Sequence, residues 1–334
     1  MSTSSRELVR SLLASKPVSR PPFIPYIASA AAHFMQVPVQ QMYFDPTVLA
    51  NSLQACQRLF KYDGIVVLYD TTLEAEACGC RLLWQEGEPP AVVSPILNRL
   101  DDMKTLDASK IKERGRVPVI LEAAKRLAQT AGGDTAIMGA ITGPITLGAH
   151  LMGPAFLSLP DSNHEAFERY MDFWGEVALT LVRNYGELNL DAIVLVDETL
   201  ASLGQNHYAA IQPALKTLRN VARFYNIAVI ISIREVSADK LQAFLRLEAD
   251  GFSLLNPVFD RADNLPPAGT LIGACIPSSA LLGSTEEVQM VTLDLHTKGQ
   301  GKRFFITSES EVPQATPAAN LHEVMRLLQE ASTN

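Results

Sequence analysis

Residues 23–33 read Phe23-Ile24-Pro25-Tyr26-Ile27-Ala28-Ser29-Ala30-Ala31-Ala32-His33, a short apolar run that passes straight into an alanine-rich stretch. An open, doubly wound sheet would place a glycine-rich loop after its first strand, because only glycine lets the backbone approach a pyrophosphate closely. This junction contains no glycine. Downstream, short β-branched runs alternate with longer stretches of helical periodicity, the pattern of parallel βα units. The strand candidates are 23–27, 65–69, 136–141, 192–196, 229–233, 251–255, 270–275 and 303–306. Their apolar, non-alternating character suits strands buried on both faces. Apolar residues at three and four spacing mark helices over 167–188, 207–225 and 321–328. The expected fold is α/β, a (β/α)8 TIM barrel with its helices as an outer ring.

With 334 residues, 47% of them hydrophobic and 19% charged, the chain can bury a large core. Pro/Gly stretches at 87–90 and 265–269 read as loops, and no linker of disordered composition divides the chain, so one domain over 1–334 is expected. The length exceeds the roughly 250 residues typical of such a barrel, which predicts insertions, chiefly between Gly79 and Ala136. A net charge of −8 and the lack of any Lys/Arg-rich run argue against nucleic acid or an anionic membrane as partner. Four cysteines, Cys56, Cys78, Cys80 and Cys275, are too few and too scattered for a disulfide framework, so a reducing cytoplasm is the expected location. Residues 1–15 have no apolar leader core, and no uncharged apolar run reaches about 18 residues. Neither secretion nor membrane spanning is expected.

Several segments, in order, carry a family resemblance. Phe44-Asp45-Pro46 precedes a helix, and Tyr62-Asp63-Gly64-Ile65-Val66-Val67-Leu68-Tyr69-Asp70 leads into Thr71-Thr72-Leu73-Glu74-Ala75-Glu76-Ala77-Cys78-Gly79-Cys80. Then come Gly139-Ala140-Ile141-Thr142-Gly143-Pro144-Ile145-Thr146-Leu147, Glu248-Ala249-Asp250-Gly251-Phe252-Ser253, Gly283-Ser284-Thr285-Glu286-Glu287-Val288 and Glu311-Val312-Pro313-Gln314-Ala315-Thr316-Pro317-Ala318-Ala319-Asn320-Leu321. Over almost its whole length the chain resembles the uroporphyrinogen decarboxylase superfamily, particularly its corrinoid (cobamide)-dependent methyltransferase branch. The resemblance implies a TIM barrel that works with a corrinoid.

The departures narrow the chemistry. Decarboxylases of this family hold an acidic tetrapyrrole with arginines after the first strand, and 27–32 carries none here. A buried carboxylate without a counter-charge is costly, so uroporphyrinogen decarboxylation itself is not expected. The methyltransferase branch holds zinc through an H-x-C pair after the fifth strand and a later cysteine, and it uses the metal to form a thiolate. The corresponding residues here are Ser232, Arg234 and Ser310, so zinc is not expected at the family position. An unfamiliar zinc set, Asp197, His207 and Glu309, stays open. The resemblance with this changed mouth implies an O-demethylase-type methyltransferase. It would move a methyl group from an O-methyl, ether-type substrate to the cob(I)alamin of a partner corrinoid protein. The alternatives are a decarboxylase of a smaller carboxylic acid and a catalytically degenerate barrel that only binds a ligand or corrinoid protein.

Strand ends supply the candidate site, because the βα-loops of a barrel converge there. Asp70, which matches the family's catalytic aspartate, His150, which replaces a family tyrosine, and Asp197, paired with Glu198, are the expected catalytic residues. Arg234, His207, Glu309 and Ser232 are the expected substrate-binding residues. Arg234 suits a substrate carboxylate or phenolate through its bidentate fork. Each has a structural alternative. Asp70 or Thr71 with Glu74 reads as a capping box, with Glu74 and Glu76 in capping or surface roles. His150 reads equally as a satisfied, half-buried side chain. Asp197 reads as a helix cap and His207 as a helix start. Arg234 has Glu235, Glu309 or Asp70 for an ion-pair partner. Cys275 reads as a small buried hydrophobe, and Cys78 and Cys80 as packing.

Overall fold

Seven of the eight apolar runs form one parallel sheet in the computed structural model of the chain, which describes residues 3–85, 88–97, 100–255 and 269–331. The strands are β1 Gly64–Val66, the small hairpin pair β2 Leu82–Leu83 and β3 Ala91–Val92, then β4 Ala136–Thr142, β5 Ala192–Val196, β6 Ala228–Ser232, β7 Gly251–Leu254, β8 Leu271–Ile276 and β9 Phe304–Ser308. The main sheet runs β1-β4-β5-β6-β7-β8-β9 with every neighbour parallel. All of its strand residues but Ala228 are buried, which matches their unbroken apolar patterning.

The expected first strand, 23–27, is corrected to a single parallel bridge between Phe23 and Ile306. Prolines at 21, 22 and 25 explain it, since none can donate to a ladder. What pairing remains goes to both edges of the sheet. Ile24 N–H donates to Ile306 O and Ile306 N–H to Pro22 O, each at 2.8 Å, while Asp63 N–H beside β1 donates to Phe23 O at 2.8 Å. The sheet therefore curls until β1 and β9 flank the same short segment. The second run is also shorter than the expected 65–69, ending as a strand at Val66, although Val67 N–H still reaches Met138 O at 2.9 Å.

Helices cover the outside. The expected 167–188 and 207–225 are observed as His164–Glu187, started by the Asn163 side chain on Ala166 N–H, and Tyr208–Phe224. Buried aromatic side chains of the longer helix fasten it to β4 and to the helix that follows β4. Trp174 donates to Thr142 O at 3.0 Å, Tyr185 to Ala140 O at 3.2 Å and Tyr170 to Pro144 O at 2.6 Å, so each buried polar tip is satisfied. Between Gly79 and Ala136 lie the hairpin, two 3-10 turns and the helix Val117–Thr130. Of the expected loops, Gly87 and residues 265–268 lie outside the described residues. Among the described residues no helix is long and apolar enough to cross a membrane.

Asp63 anchors the proline-broken segment. Its buried carboxylate accepts Phe23 N–H at 2.8 Å, both arms of the Arg20 fork at 2.7 Å and the Ser5 hydroxyl at 2.8 Å. Removing one partner of a buried pair leaves the other charge uncompensated, at a cost of about 3–5 kcal/mol. Asp63→Ala should lower the unfolding free energy measured by urea titration accordingly, and a value within about 0.5 kcal/mol of the parent would show that the segment is held by something else.

Candidate active site

The C-terminal ends of the strands bring two groups of polar side chains together. The first is built on β6 and β9. Arg234, two residues past the end of β6, places Nη2 at 3.1 Å from Oε1 of Glu309, the residue after β9, so Glu309 is the ion-pair partner of the three considered. The arginine side chain is 58% exposed and the glutamate 10%. Oε2 of Glu309 accepts the Ser278 N–H at 2.8 Å. Burial works against the Glu309 carboxylate, but the Ser278 N–H and Arg234 outweigh it and hold its pKa below the usual value. Glu198 is raised by burial, with Arg234 opposing the shift.

Beneath this pair lie two buried hydroxyls, Tyr69 and Ser232, that make no hydrogen bond of good geometry among the described residues. They are neighbours. Burial and then Glu198 push the Tyr69 phenol well above its usual pKa, with Ser232 working the other way. Tyr26 stacks on Tyr69 with ring centroids 4.5 Å apart and donates to Ser253 Oγ at 3.1 Å, which in turn lies 3.4 Å from Cys275 Sγ. Burial pushes the Cys275 thiol up to about 12, so it remains a protonated, weakly hydrogen-bonding filler. An unsatisfied buried hydroxyl costs about 1–3 kcal/mol, which a ligand oxygen would relieve.

The second group surrounds Asp70. Its Oδ1 accepts Thr72 N–H at 2.8 Å and the Thr72 hydroxyl at 2.7 Å, and its Oδ2 lies 2.6 Å from Nη1 of Arg116. Arg116 is wholly buried. It also donates through Nε to Glu76 at 2.7 Å and through Nη2 to Thr72 Oγ1 at 3.0 Å. Its guanidinium carbon lies 4.9 Å from the Trp84 ring centroid and 5.6 Å from that of Tyr43, a cation–π setting. The capping-box reading is corrected here. The helix Leu73–Cys78 has no side-chain cap. Glu74 instead turns inward to accept Thr142 N–H at 3.0 Å and the Thr142 hydroxyl, and Glu76 faces Arg116 rather than the surface.

The remaining expected residues are placed differently. Both Asp197 oxygens are taken, Oδ2 by Ile145 N–H at 3.1 Å and Oδ1 by Thr146 N–H and hydroxyl at 2.8 Å. Asp197 thus starts the helix Pro144–Met152 from inside the core rather than facing a substrate. His150 Nε2 lies 3.3 Å from Thr71 Oγ1, and burial lowers its pKa against the pull of Asp70, which favours a neutral ring. His207 pairs with Asp161 at 3.1 Å and Asn206 at 3.1 Å, apart from both groups. Glu311, absent from the expected set, is half-buried with its pKa raised by desolvation to about 8; it accepts Ser29 N–H and lies 3.5 Å from the Tyr43 hydroxyl.

The zinc positions of the resemblance do not fit the metal. Ser232 offers a neutral hydroxyl, Arg234 a fixed cation and Ser310 a second hydroxyl, where zinc takes thiolate, imidazole or carboxylate. The alternative set fares no better, because Asp197, His207 and Glu309 are each committed elsewhere. Among the described residues no three His, Cys, Asp or Glu side chains stand close enough to share an ion.

A sequence profile described as Uroporphyrinogen decarboxylase (URO-D) matches residues 4–331. The chain is 23% identical over 330 residues to the methylcobamide:CoM methyltransferase MtbA of Methanosarcina acetivorans, covering 96% of each. It is 22% identical over 274 residues to a uroporphyrinogen decarboxylase of Prochlorococcus marinus, covering 79% of this chain and 77% of that one. A solved methyltransferase from Methanosarcina mazei superposes with a TM-score of 0.87 at 17% identity, over 98% of this chain and 99% of that one.

Burial raises the Glu74 carboxyl from 4.5 to about 7 in the folded chain. Between those values the folded state binds the proton and the unfolded state does not, so stability falls as pH rises through this window. Glu74→Gln should flatten the decline in unfolding free energy between pH 5 and pH 7, measured by denaturant titration at each pH. A slope equal to that of the parent chain would show that Glu74 ionises normally.

Proposed function

The chain belongs to the uroporphyrinogen decarboxylase family, and we propose that within it the chain is a corrinoid-dependent methyltransferase of the O-demethylating type. Its partners are a small methyl donor and a separate corrinoid protein. The proposal includes closure of the curled sheet through residues 22–24 into a (β/α)8 barrel, one domain over 1–334, working in the reducing cytoplasm. The relatives named as methylcobamide methyltransferases support the corrinoid. The ether-type donor rests on one observation: two buried hydroxyls, Tyr69 and Ser232, without a well-placed partner among the described residues, lie beneath a half-exposed arginine.

Breaking a methyl–oxygen bond leaves the bonding pair on the oxygen while the methyl carbon passes to the acceptor. The reduced corrinoid supplies the nucleophile. The chain's own task is to bind the donor, aim the methyl group out of the mouth and stabilise the oxygen as it becomes anionic. Tyr69 suits this task because its raised pKa keeps it a donor, and Ser232 adds a second O–H. Arg234 adds a permanent positive charge. Glu309 holds it through Nη2, which leaves the rest of the fork for a phenolate or a carboxylate on the donor. Glu198, beside Arg234 and with its carboxyl pKa raised by desolvation, is placed to relay a proton to the released oxygen. Asp70, fixed by Arg116 and Thr72, shapes the wall next to His150. This set of oxygens and fixed charge offers nothing soft to hold a thiolate, which separates the reading from thiol methylation.

Purified chain mixed with a reduced corrinoid protein and matched O-methyl, N-methyl and S-methyl donors should give the absorbance change of corrinoid methylation with O-methyl aryl ethers that carry an acid group. Arg234→Met should lower kcat/KM for those donors by about 10²-fold, as loss of one charge-stabilising donor does. Transfer from thioethers alone, carbon dioxide release without methyl transfer, or silence in both assays would overturn the proposal, the last two in favour of a decarboxylase or a binding-only barrel.

A further inference from the structure

At the opposite end of the sheet, the starts of β5 to β9 and the end of the helix Ser5–Leu13 enclose a cavity of about 960 Å3. Four arginines line it, Arg10, Arg219, Arg223 and Arg303, against two carboxylates, Asp191 and Asp250. Both carboxylates already serve the backbone, since Asp191 accepts Ile137 N–H at 3.0 Å and Asp250 accepts Val229 N–H at 3.0 Å. Each then carries two guanidinium groups. Asp191 meets Arg6 at 3.1 Å and Arg10 at 2.6 Å, and Asp250 meets Arg219 at 2.9 Å and Arg223 at 3.0 Å. Arg219 also reaches Glu248 at 2.7 Å. Arg303 makes no ion pair among the described residues and donates instead to the carbonyls of Leu12, Leu13 and Gly269.

Among the described residues, five guanidinium groups against three carboxylates leave two positive charges in excess, in a chain whose formal charge is −8. Neutralising the buried carboxylates does not require the surplus, because one arginine per aspartate would do so. Crowded like charges repel, and burial disfavours the charged form of Arg303. Donors are also available. Among the described residues Arg10 uses only Nε on Asp191 and Arg223 only Nη2 on Asp250, so most of both half-exposed forks faces solvent at the cavity wall. Leu190, Leu247 and Phe252 add apolar surface to the same wall.

We propose that this cavity is a second binding site, distinct from the mouth, for a small organic anion that carries two negative charges on an apolar body. The two excess charges match a dianion, the free fork nitrogens match its oxygens, and the volume falls in the range of small-molecule sites. A phosphate monoester and a dicarboxylate share this chemistry, so phenyl phosphate and phthalate are the probes.

Isothermal titration of the intact chain should detect one of the two probes at one site per chain, with affinity falling as salt is raised. Arg223→Gln should weaken that binding by about tenfold or more, the effect of losing one charge-assisted contact. Arg303→Met should do the same, and because it also frees carbonyls that help seat the first helix, the more exposed Arg223 carries the test if that variant fails to fold. Arg234→Met, at the other end of the strands, should leave binding unchanged. No binding of either probe at 10 mM, equal affinity in Arg223→Gln, or loss of binding in Arg234→Met would overturn the site.

Discussion

Three prolines, at 21, 22 and 25, deny the first apolar run the N–H groups a strand needs, and the buried Asp63 carboxylate makes up the difference. It accepts Phe23 N–H, takes both arms of Arg20 and draws in Ser5, so the segment lies between β1 and β9 without a full ladder. Three residues further on, Tyr26 stacks on Tyr69 and bonds Ser253. A constraint at the base of the segment is thus transmitted to the hydroxyl that the candidate site leaves free. Position and chemistry are linked by a short stretch of backbone that has only a narrow choice of conformations.

The two ends of the strands use charge in opposite ways. At the mouth a single arginine is held by a single glutamate, and most of its fork is solvent-facing. Of the nearby carboxyls, desolvation raises the pKa of Glu198 and lifts that of Glu311 to about 8. In the proposed reaction such a mouth would answer a developing negative charge on oxygen, and the positions where the family resemblance implies zinc carry no soft ligand. At the other end, arginines crowd round aspartates that the sheet already needs for its backbone, and their charge exceeds what those aspartates neutralise.

Much of the architecture was legible because buried parallel strands must be apolar on both faces, and each apolar run from 136 onward falls on a strand of the sheet. The first run failed because apolar content outweighed proline in the reading, whereas hydrogen bonding decides in the fold. Within the site, Arg234 and Glu309 could be found from their places just after strands. Arg116 could not, since it lies in the inserted stretch before a helix and meets Asp70 only through tertiary packing. The roles of Glu74 and Asp197 were hard to read for a related reason. Both look like surface or catalytic carboxylates in sequence, yet both spend their oxygens on N–H and hydroxyl groups of neighbouring elements. Tyr69 and Ser232 gave one signal, polar tips at the end of apolar runs, but that they lack partners is visible only in three dimensions.

The central claim is that the mouth stabilises an oxygen anion through Arg234, Tyr69 and Ser232. The most direct measurement is the pKa of a chromophoric phenol bound there as a mimic of the demethylated product, read by its absorbance across a pH series. The account predicts that the bound phenol ionises at least one pH unit below its value in free solution. A bound phenol that ionises at or above its solution value would contradict it.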